Sequence, residues 1–219
     1  MARRAAPVPA LVDVDLTIDA ARLTAVRGRS GAGKSSLLSL AAGLERPISG
    51  RVVATPGLAG GVGPTAAPST WASTDLAARI AWVPQRAALT IVGSTVLDSL
   101  LATGRALGRP EDEVRSGAES LLADLRLQGL EDRNPHTLSG GELRRLALAS
   151  GLVHGPSVLA LDEPTVGQDR HTWAAVVGLC AAAAGVGMAV LVSTHDDDLA
   201  RTADATHVLD AGRLAGVGA

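Results

Sequence analysis

Eight residues, Gly28 to Ser35 (GRSGAGKS), constrain this fold more than any other stretch of the chain. They fit the pattern G-x-x-x-x-G-K-[ST]. The apolar run LTAV (23–26) before them reads as a short strand. After them a helix is expected from about Lys34 to Ala42, stopped by Gly43. A strand that enters a helix through such a loop leaves a row of unpaired N–H groups at the helix start. With the helix dipole, those amides favour an anion. Gly28, Arg29, Ser30, Gly31, Ala32, Gly33, Lys34, Ser35 and Ser36 are therefore candidate phosphate-binding positions. The backbone would cradle the α- and β-phosphates of a nucleotide, and Lys34 would reach the β- and γ-phosphates. The Ser35 hydroxyl would ligate Mg²⁺.

The rest of the chain alternates strands with helices. Val12, Val14, Leu16 and Ile18 alternate with polar residues and predict a half-buried strand. RVVAT (51–55), RIAWV (79–83), SVLAL (157–161), residues 188–193 and 206–209 also read as strands, the last turning at DAGRL. Residues 56–75, rich in Gly, Ala, Pro, Ser and Thr, read as a flexible insertion. Ser94 to about Val153 is helical, with Pro110 expected at the first helical position of PEDEVRSGAESLLADLRL. Helices near 139–153 and 170–184 complete the pattern, which predicts a mostly parallel sheet covered on both faces. No internal repeat is visible.

Ala174–Val192 is nineteen residues without a charged side chain, long enough to span a bilayer. Seven of them are Ala and three are Gly, so the apolar drive is weak, and GVG at 185–187 punctuates the run. It reads as a buried helix ending near Gly185, followed by a buried strand. The 219 residues include no Phe or Tyr, so the core must rest on Leu, Val, Ile and three Trp. Net charge is −2 and the basic residues are scattered, which argues against a nucleic-acid partner. The single cysteine, Cys180, excludes an internal disulfide and fits a reducing compartment. The start MARR is basic, but Pro7, Pro9 and Asp13 break any signal-peptide core.

Three further clusters carry chemistry. Asp162 and Glu163 follow the apolar SVLAL, at the end of a strand where open α/β sheets bind ligands. Asp162 would hold Mg²⁺ through water, and Glu163 would orient and deprotonate an attacking water. Taken alone, the pair is also a common strand-end turn. His195 ends another buried run, LVSTH, expected to lie beside the Asp162 strand. It could bond the γ-phosphate and the attacking water, whereas His136, His154, His171 and His207 carry no motif. The third cluster is TLSGGELRR (137–145). Ser139 and Glu142 have capping-box spacing, yet Gly140 and Gly141 fill the first turn at about 1 kcal/mol each against alanine. Either the glycines ease a tight turn, or something must approach those amides closely.

Together these motifs resemble the ATP-binding subunit of an ABC transporter. GRSGAGKS resembles its Walker A motif, VPQ with Gln85 its Q-loop, and LSGGE (138–142) its signature. LALDEP resembles Walker B, VGQD ending at Asp169 the D-loop, and His195 the switch histidine. All six occur in family order between Gly28 and His195. The resemblance implies a P-loop NTPase of α/β class with a mostly parallel sheet. It implies one domain, 1–219, in which a helical subdomain at 94–153 interrupts a core of 1–93 and 154–219. ATP and Mg²⁺ would be its cofactors. Glu163 and His195 would be catalytic, Ser35, Gln85 and Asp162 would surround the metal, and Gln85 and Asp169 would lie at the nucleotide. Two subunits would pack head to tail, so that Ser139, Gly140 and Gly141 of one contact the γ-phosphate held by the other. A lone subunit would have little activity. Asp169 and His195 would meet at one site, so the apolar run between them belongs to the core.

The segments VPQRAALTIVGSTVLDSLLATGRALG, GLEDRNPHTLSGGELRRLALAS and EPTVGQDRHTW resemble energy-coupling-factor importer ATPases, which power uptake of vitamins or of cobalt and nickel ions. The implied partners are a second ATPase copy or paralogue, a transmembrane coupling subunit and a substrate-binding membrane subunit. The chain would sit peripherally on the cytoplasmic face of the membrane, with coupling helices in the groove beside Gln85. One departure stands out: no aromatic precedes Trp71 to stack on adenine, and only 27 residues precede Gly28. Either the start is truncated, or the chain is half of a tandem ATPase, or aliphatic groups hold the base. Trp82 reads as core. The alternatives are a soluble ABC-type ATPase of DNA repair or translation control, and a weakly active regulatory subunit. The first usually has a long coiled-coil insertion or two fused halves, and neither is visible; intact Glu163 and His195 argue against the second.

Overall fold

A computed structural model of the chain describes residues 9–62 and 66–215. Strand β1 (Arg22–Arg27) feeds the Gly-rich loop into helix α1 (Lys34–Ala41). Gly43, at φ +73°, ends that helix, because only glycine takes a left-handed backbone without steric cost. The Gly43 N–H returns to Leu40 O and the Leu44 N–H to Ser39 O, a Schellman closure of the free carbonyls. Next come α2 (Pro56–Ala59), α3 (Ser73–Arg79), β2 (Ile80–Val83), α4 (Val96–Ala106), α5 (Glu111–Asp124) and α6 (Gly140–Leu152). The chain continues through β3 (Val158–Asp162), α7 (Arg170–Gly185), β4 (Ala189–Thr194), α8 (Asp197–Thr202), β5 (Ala205–Asp210) and β6 (Arg213–Ala215).

The strands form one sheet in the order β2-β3-β4-β1-β5-β6, parallel except for the β5–β6 hairpin. Successive side chains on the central strands enter opposite cores. Leu159, Leu161, Val190 and Val192 join residues of α4, α5, α6 and α7 on one face. Ala160 and Leu191 meet Leu37 and Leu38 of α1 on the other. Both faces are buried, which is why these strands read as continuous apolar runs rather than as alternations. Among the described residues, the twelve largest fully buried side chains are all leucine. Each contributes roughly 1.5–3 kcal/mol by leaving water. Trp71 is also buried, whereas Trp82 and Trp173 are only partly covered and lie against the two cores.

The run Ala174–Val192 divides between α7 and β4, and among the described residues no helix is long and apolar enough to cross a membrane. Four local readings need correction. Residues 12–18 alternate in burial as expected, with Val14, Leu16 and Ile18 against the second core, but they join no strand. The segment is tied to the turn between β5 and β6 by Val12 N–H to Gly212 O at 2.8 Å. Residues 51–55 are likewise not a strand, and Ala54 N–H bonds Ala66 O at 2.7 Å. The 56–75 segment, apart from 63–65, which lie outside the described residues, is ordered as α2, a 3-10 turn at Pro68–Thr70 and the start of α3. Buried Trp71, stacked under Arg79, anchors it. Pro110 stands one place earlier than expected, as the N-cap of α5 with ψ 128°, and Glu111 is the first helical residue.

Candidate functional site

The Gly-rich loop closes through residues that side chains could not replace. Gly33 caps α1 at φ +104°, and a Cβ there would lie 2.5 Å from the Ala10 carbonyl oxygen. Lys34, the first helical residue, curls back over the loop. Its ammonium donates to Gly28 O at 2.7 Å and to Arg29 O at 3.3 Å. It also pairs with Glu163 Oε1 at 3.3 Å, both side chains being less than a tenth exposed.

Parallel pairing sets β3 beside β4 with Asp162 opposite Ser193. This places two acids, a serine and a histidine at adjacent strand ends. Asp162 Oδ2 accepts from Ser35 Oγ at 2.6 Å, and Asp162 Oδ1 accepts from Ser193 Oγ. The Glu163 N–H donates to Ser193 Oγ and Ser193 O, each at 3.1 Å. Glu163 sits at φ +53°, a left-handed conformation that costs an ordinary residue about 1–2 kcal/mol. Its carboxylate is 2.8 Å from His195 Nδ1 and accepts the His195 N–H at 3.3 Å. The histidine ring is 65% exposed, so the acid is buried and its partner faces outward.

The structure thus brings Lys34, Ser35, Asp162, Glu163 and His195 into one connected cluster. Gln85 does not join them. It is exposed after β2, and its carbonyl accepts from Arg144 Nη2 at 3.0 Å. Asp169 is the N-cap of α7. It accepts from the His171 and Thr172 N–H groups and from Thr172 Oγ1. Those bonds, chiefly from Thr172, pull its carboxyl down to about 2. Ser139 starts α6 with a complete capping box: its N–H and Oγ donate to Glu142, and its Oγ accepts the Glu142 N–H at 3.3 Å. The bonds from Ser139 hold the Glu142 carboxyl below its usual range. Around Gly140, a Cβ would meet nothing within 4 Å. At Gly141 it would meet only Arg145 and Gln168 side-chain atoms, both at 3.5 Å. Neither glycine has a positive φ, so neither backbone shape nor packing within the chain demands glycine there.

Two residues of this machinery escaped sequence reasoning. Ser193 is a fully buried polar group in an apolar strand, and that anomaly was its signal. Arg144 donates to Glu163 O and to Gln85 O. It stands on the partly buried face of α6, where a charged side chain is out of pattern.

A Mg²⁺ ion fits the Ser35–Asp162 pair. Both atoms are hard oxygen donors that already converge, and among the described residues no cluster of three or more His, Cys, Asp or Glu forms an all-protein cage. One or two protein oxygens, with water and phosphate completing the shell, is the usual way Mg²⁺ is held.

Compared with known protein families, residues 11–166 match the model described as ABC transporter. The chain belongs to the ABC transporter family. Within it, the chain is 38% identical over 217 residues to the nickel import ATP-binding protein NikO of Rhodobacter capsulatus, covering 96% of this chain and 84% of that protein. It is 37% identical over 220 residues to the methionine import ATP-binding protein MetN of Cereibacter sphaeroides, with 97% of this chain aligned but only 59% of that longer protein. An ABC cassette solved as a dimer in a post-hydrolysis state with ADP and Pi superposes with TM-score 0.82 at 25% identity, over 95% of this chain and 90% of that one. ABC cassettes bind and hydrolyse ATP, and this chain is an ATPase of that kind.

Proposed function

We propose that this ABC ATPase drives an importer and works as a head-to-tail dimer, each nucleotide clamped between the Lys34 loop of one copy and the Ser139 turn of its mate. The observation that carries this reading is the bare first turn of α6. Two glycines there weaken the helix by about 1 kcal/mol each, with no contact inside the chain that requires them. Among the described residues, the Ser139 turn bonds to none of Lys34, Ser35, Asp162, Glu163 or His195. An anion-binding helix start, cleared of side chains and unbonded to its own phosphate loop, suits a ligand presented by a second molecule.

In this mechanism the loop amides and Lys34 would hold the phosphates, and Ser35 and Asp162 would hold a Mg²⁺ ion, whose charge would offset that of the phosphates. Glu163 accepts a proton from the attacking water, held in place by His195 Nδ1. The His195 ring, being exposed, is available to the γ-phosphate. Asp169 stiffens the start of α7. Helices α4 to α6 form the side unit that carries the Ser139 turn.

Both relatives are named as import ATP-binding proteins, one for nickel and one for methionine. With the segment resemblances this supports an energy-coupling-factor importer, with a transmembrane coupling subunit, a substrate-binding membrane subunit and a peripheral position on the cytoplasmic face. Leu89 and Val92, 71% and 52% exposed beside Gln85, suit the coupling contact. The test is Glu163→Gln. It should retain ATP and shift to a dimer on size-exclusion chromatography in Mg-ATP; a purely monomeric profile at high protein concentration would refute the clamp.

A further inference from the structure

We propose that Arg144 is a positioning residue whose guanidinium ties the Gln85 loop to the backbone of the general base Glu163; this rests on the role given to Glu163 above. The residue sits in the second turn of α6. One nitrogen, Nη1, donates to Glu163 O and the other, Nη2, to Gln85 O at 3.0 Å. Both acceptors lie just past the ends of neighbouring parallel strands, β2 and β3, which pair Val83 with Leu161. One planar group therefore bridges two loops that leave the same edge of the sheet.

Glu163 is held in a left-handed conformation, and its N–H is fixed by Ser193. Arg144 fixes the opposite end of the same residue, so the direction of its carboxylate is determined from both sides. Arg144 also lines a void with Val83, Pro84, Leu148, Leu161, Asp162 and Pro164, whose free volume is about 10 Å³. That is room for one water at most, so the guanidinium is closely packed on this side. Burial lowers the guanidinium affinity for its proton, while the Glu163 and Asp162 charges oppose that effect. The Gln85 side of the bridge is exposed, with Leu89 and Val92 nearby in sequence. A push on that surface would reach Glu163 through a single rigid group. Lysine keeps the charge but cannot bond two separated carbonyls in a fixed plane.

The experiment is Arg144→Lys, with Arg144→Gln beside it, in the full chain. ATP turnover should fall about tenfold in both, while Mg-ATP affinity stays within about twofold, because a base displaced by a fraction of an ångström loses rate and not binding. In single-turnover measurements, adding Arg144→Lys to Glu163→Gln should cause no further loss, since the arginine acts through that residue. Multiplying losses, or an Arg144→Lys enzyme that turns over like the parent, would overturn the proposal. A second readout needs no hydrolysis. Amide hydrogen exchange in the nucleotide-free chain should rise together at 84–87 and 163–166 in Arg144→Lys; if either segment stays at the parental rate, the bridge is wrong. A parent chain that forms the Mg-ATP dimer and still does not hydrolyse ATP would instead count against the function proposed for Glu163, and the exchange result would still decide the bridge.

Discussion

Replacing Ser193 by alanine tests the packing behind the acids. The side chain is fully buried and its hydroxyl serves two groups. It donates to Asp162 Oδ1 and accepts the Glu163 N–H at 3.1 Å. A hydrogen bond to a buried charge contributes about 1.5–3 kcal/mol. The Glu163 N–H keeps Ser193 O as a second acceptor, so its share is smaller, about 0.5 kcal/mol. The expected loss is therefore about 2–3.5 kcal/mol. In a domain of this size, each kcal/mol lowers Tm by about 2–4 °C, giving a drop of roughly 4–14 °C. Ser39→Ala is the control: Ser39 is also buried, but its hydroxyl donates only to Ser36 O within α1. Its removal should cost about 1 kcal/mol or less. Urea denaturation of the purified variants measures both. ATP turnover of Ser193→Ala should also fall, by about tenfold or more, because Asp162 loses one of its two holding bonds. The reasoning fails if Ser193→Ala is no less stable than Ser39→Ala and turns over ATP like the parent.

Ser139→Arg should remove the capping box, costing about 1 kcal/mol of stability, and abolish hydrolysis while ATP binding persists; nucleotide titration and a phosphate-release assay separate the two effects. The Asp169 carboxyl titrates lower folded than unfolded, at about 2 against 3.8, so its contribution is complete above about pH 4 and disappears as pH falls through 2. Asp169→Asn should keep a cap yet flatten that part of the stability curve, as measured by urea midpoints between pH 5 and 2; an unchanged slope would discount the cap.

Much of the scaffold was legible because local chemistry and tertiary packing agree there. Leu159–Leu161 and Val190–Val192 are buried on both faces, so their apolar runs announce central strands. The helix at Lys34 is announced by the loop before it and by Gly43 behind it. Legibility failed where periodicity reports burial and not pairing. Residues 12–18 alternate because one side lies on the core, and no neighbouring strand supplies a ladder. At 56–75 the Gly- and Pro-rich composition concealed an anchor, Trp71, whose burial depends on distant chain. At the site, motif spacing pointed to Ser35, Asp162, Glu163 and His195, whose contacts join them. Gln85 and Asp169 were placed by motif too, but this structure shows a loop carbonyl and a helix cap at those positions. Ser193 and Arg144 act through bonds across 30 and 19 residues of chain, separations that a linear pattern does not encode.

The ion pair between Lys34 and Glu163 has a consequence for the order of events. A covered ammonium seeks an anion at all times, and here it rests on the group assigned to deprotonate water. An arriving triphosphate offers the cation a richer partner, and the carboxylate is released in the same exchange. On departure of the cleaved phosphate, the old pairing can re-form and quench the base. On the roles proposed for these residues, loading would arm the site and unloading would disarm it, with one lysine serving as the safety catch.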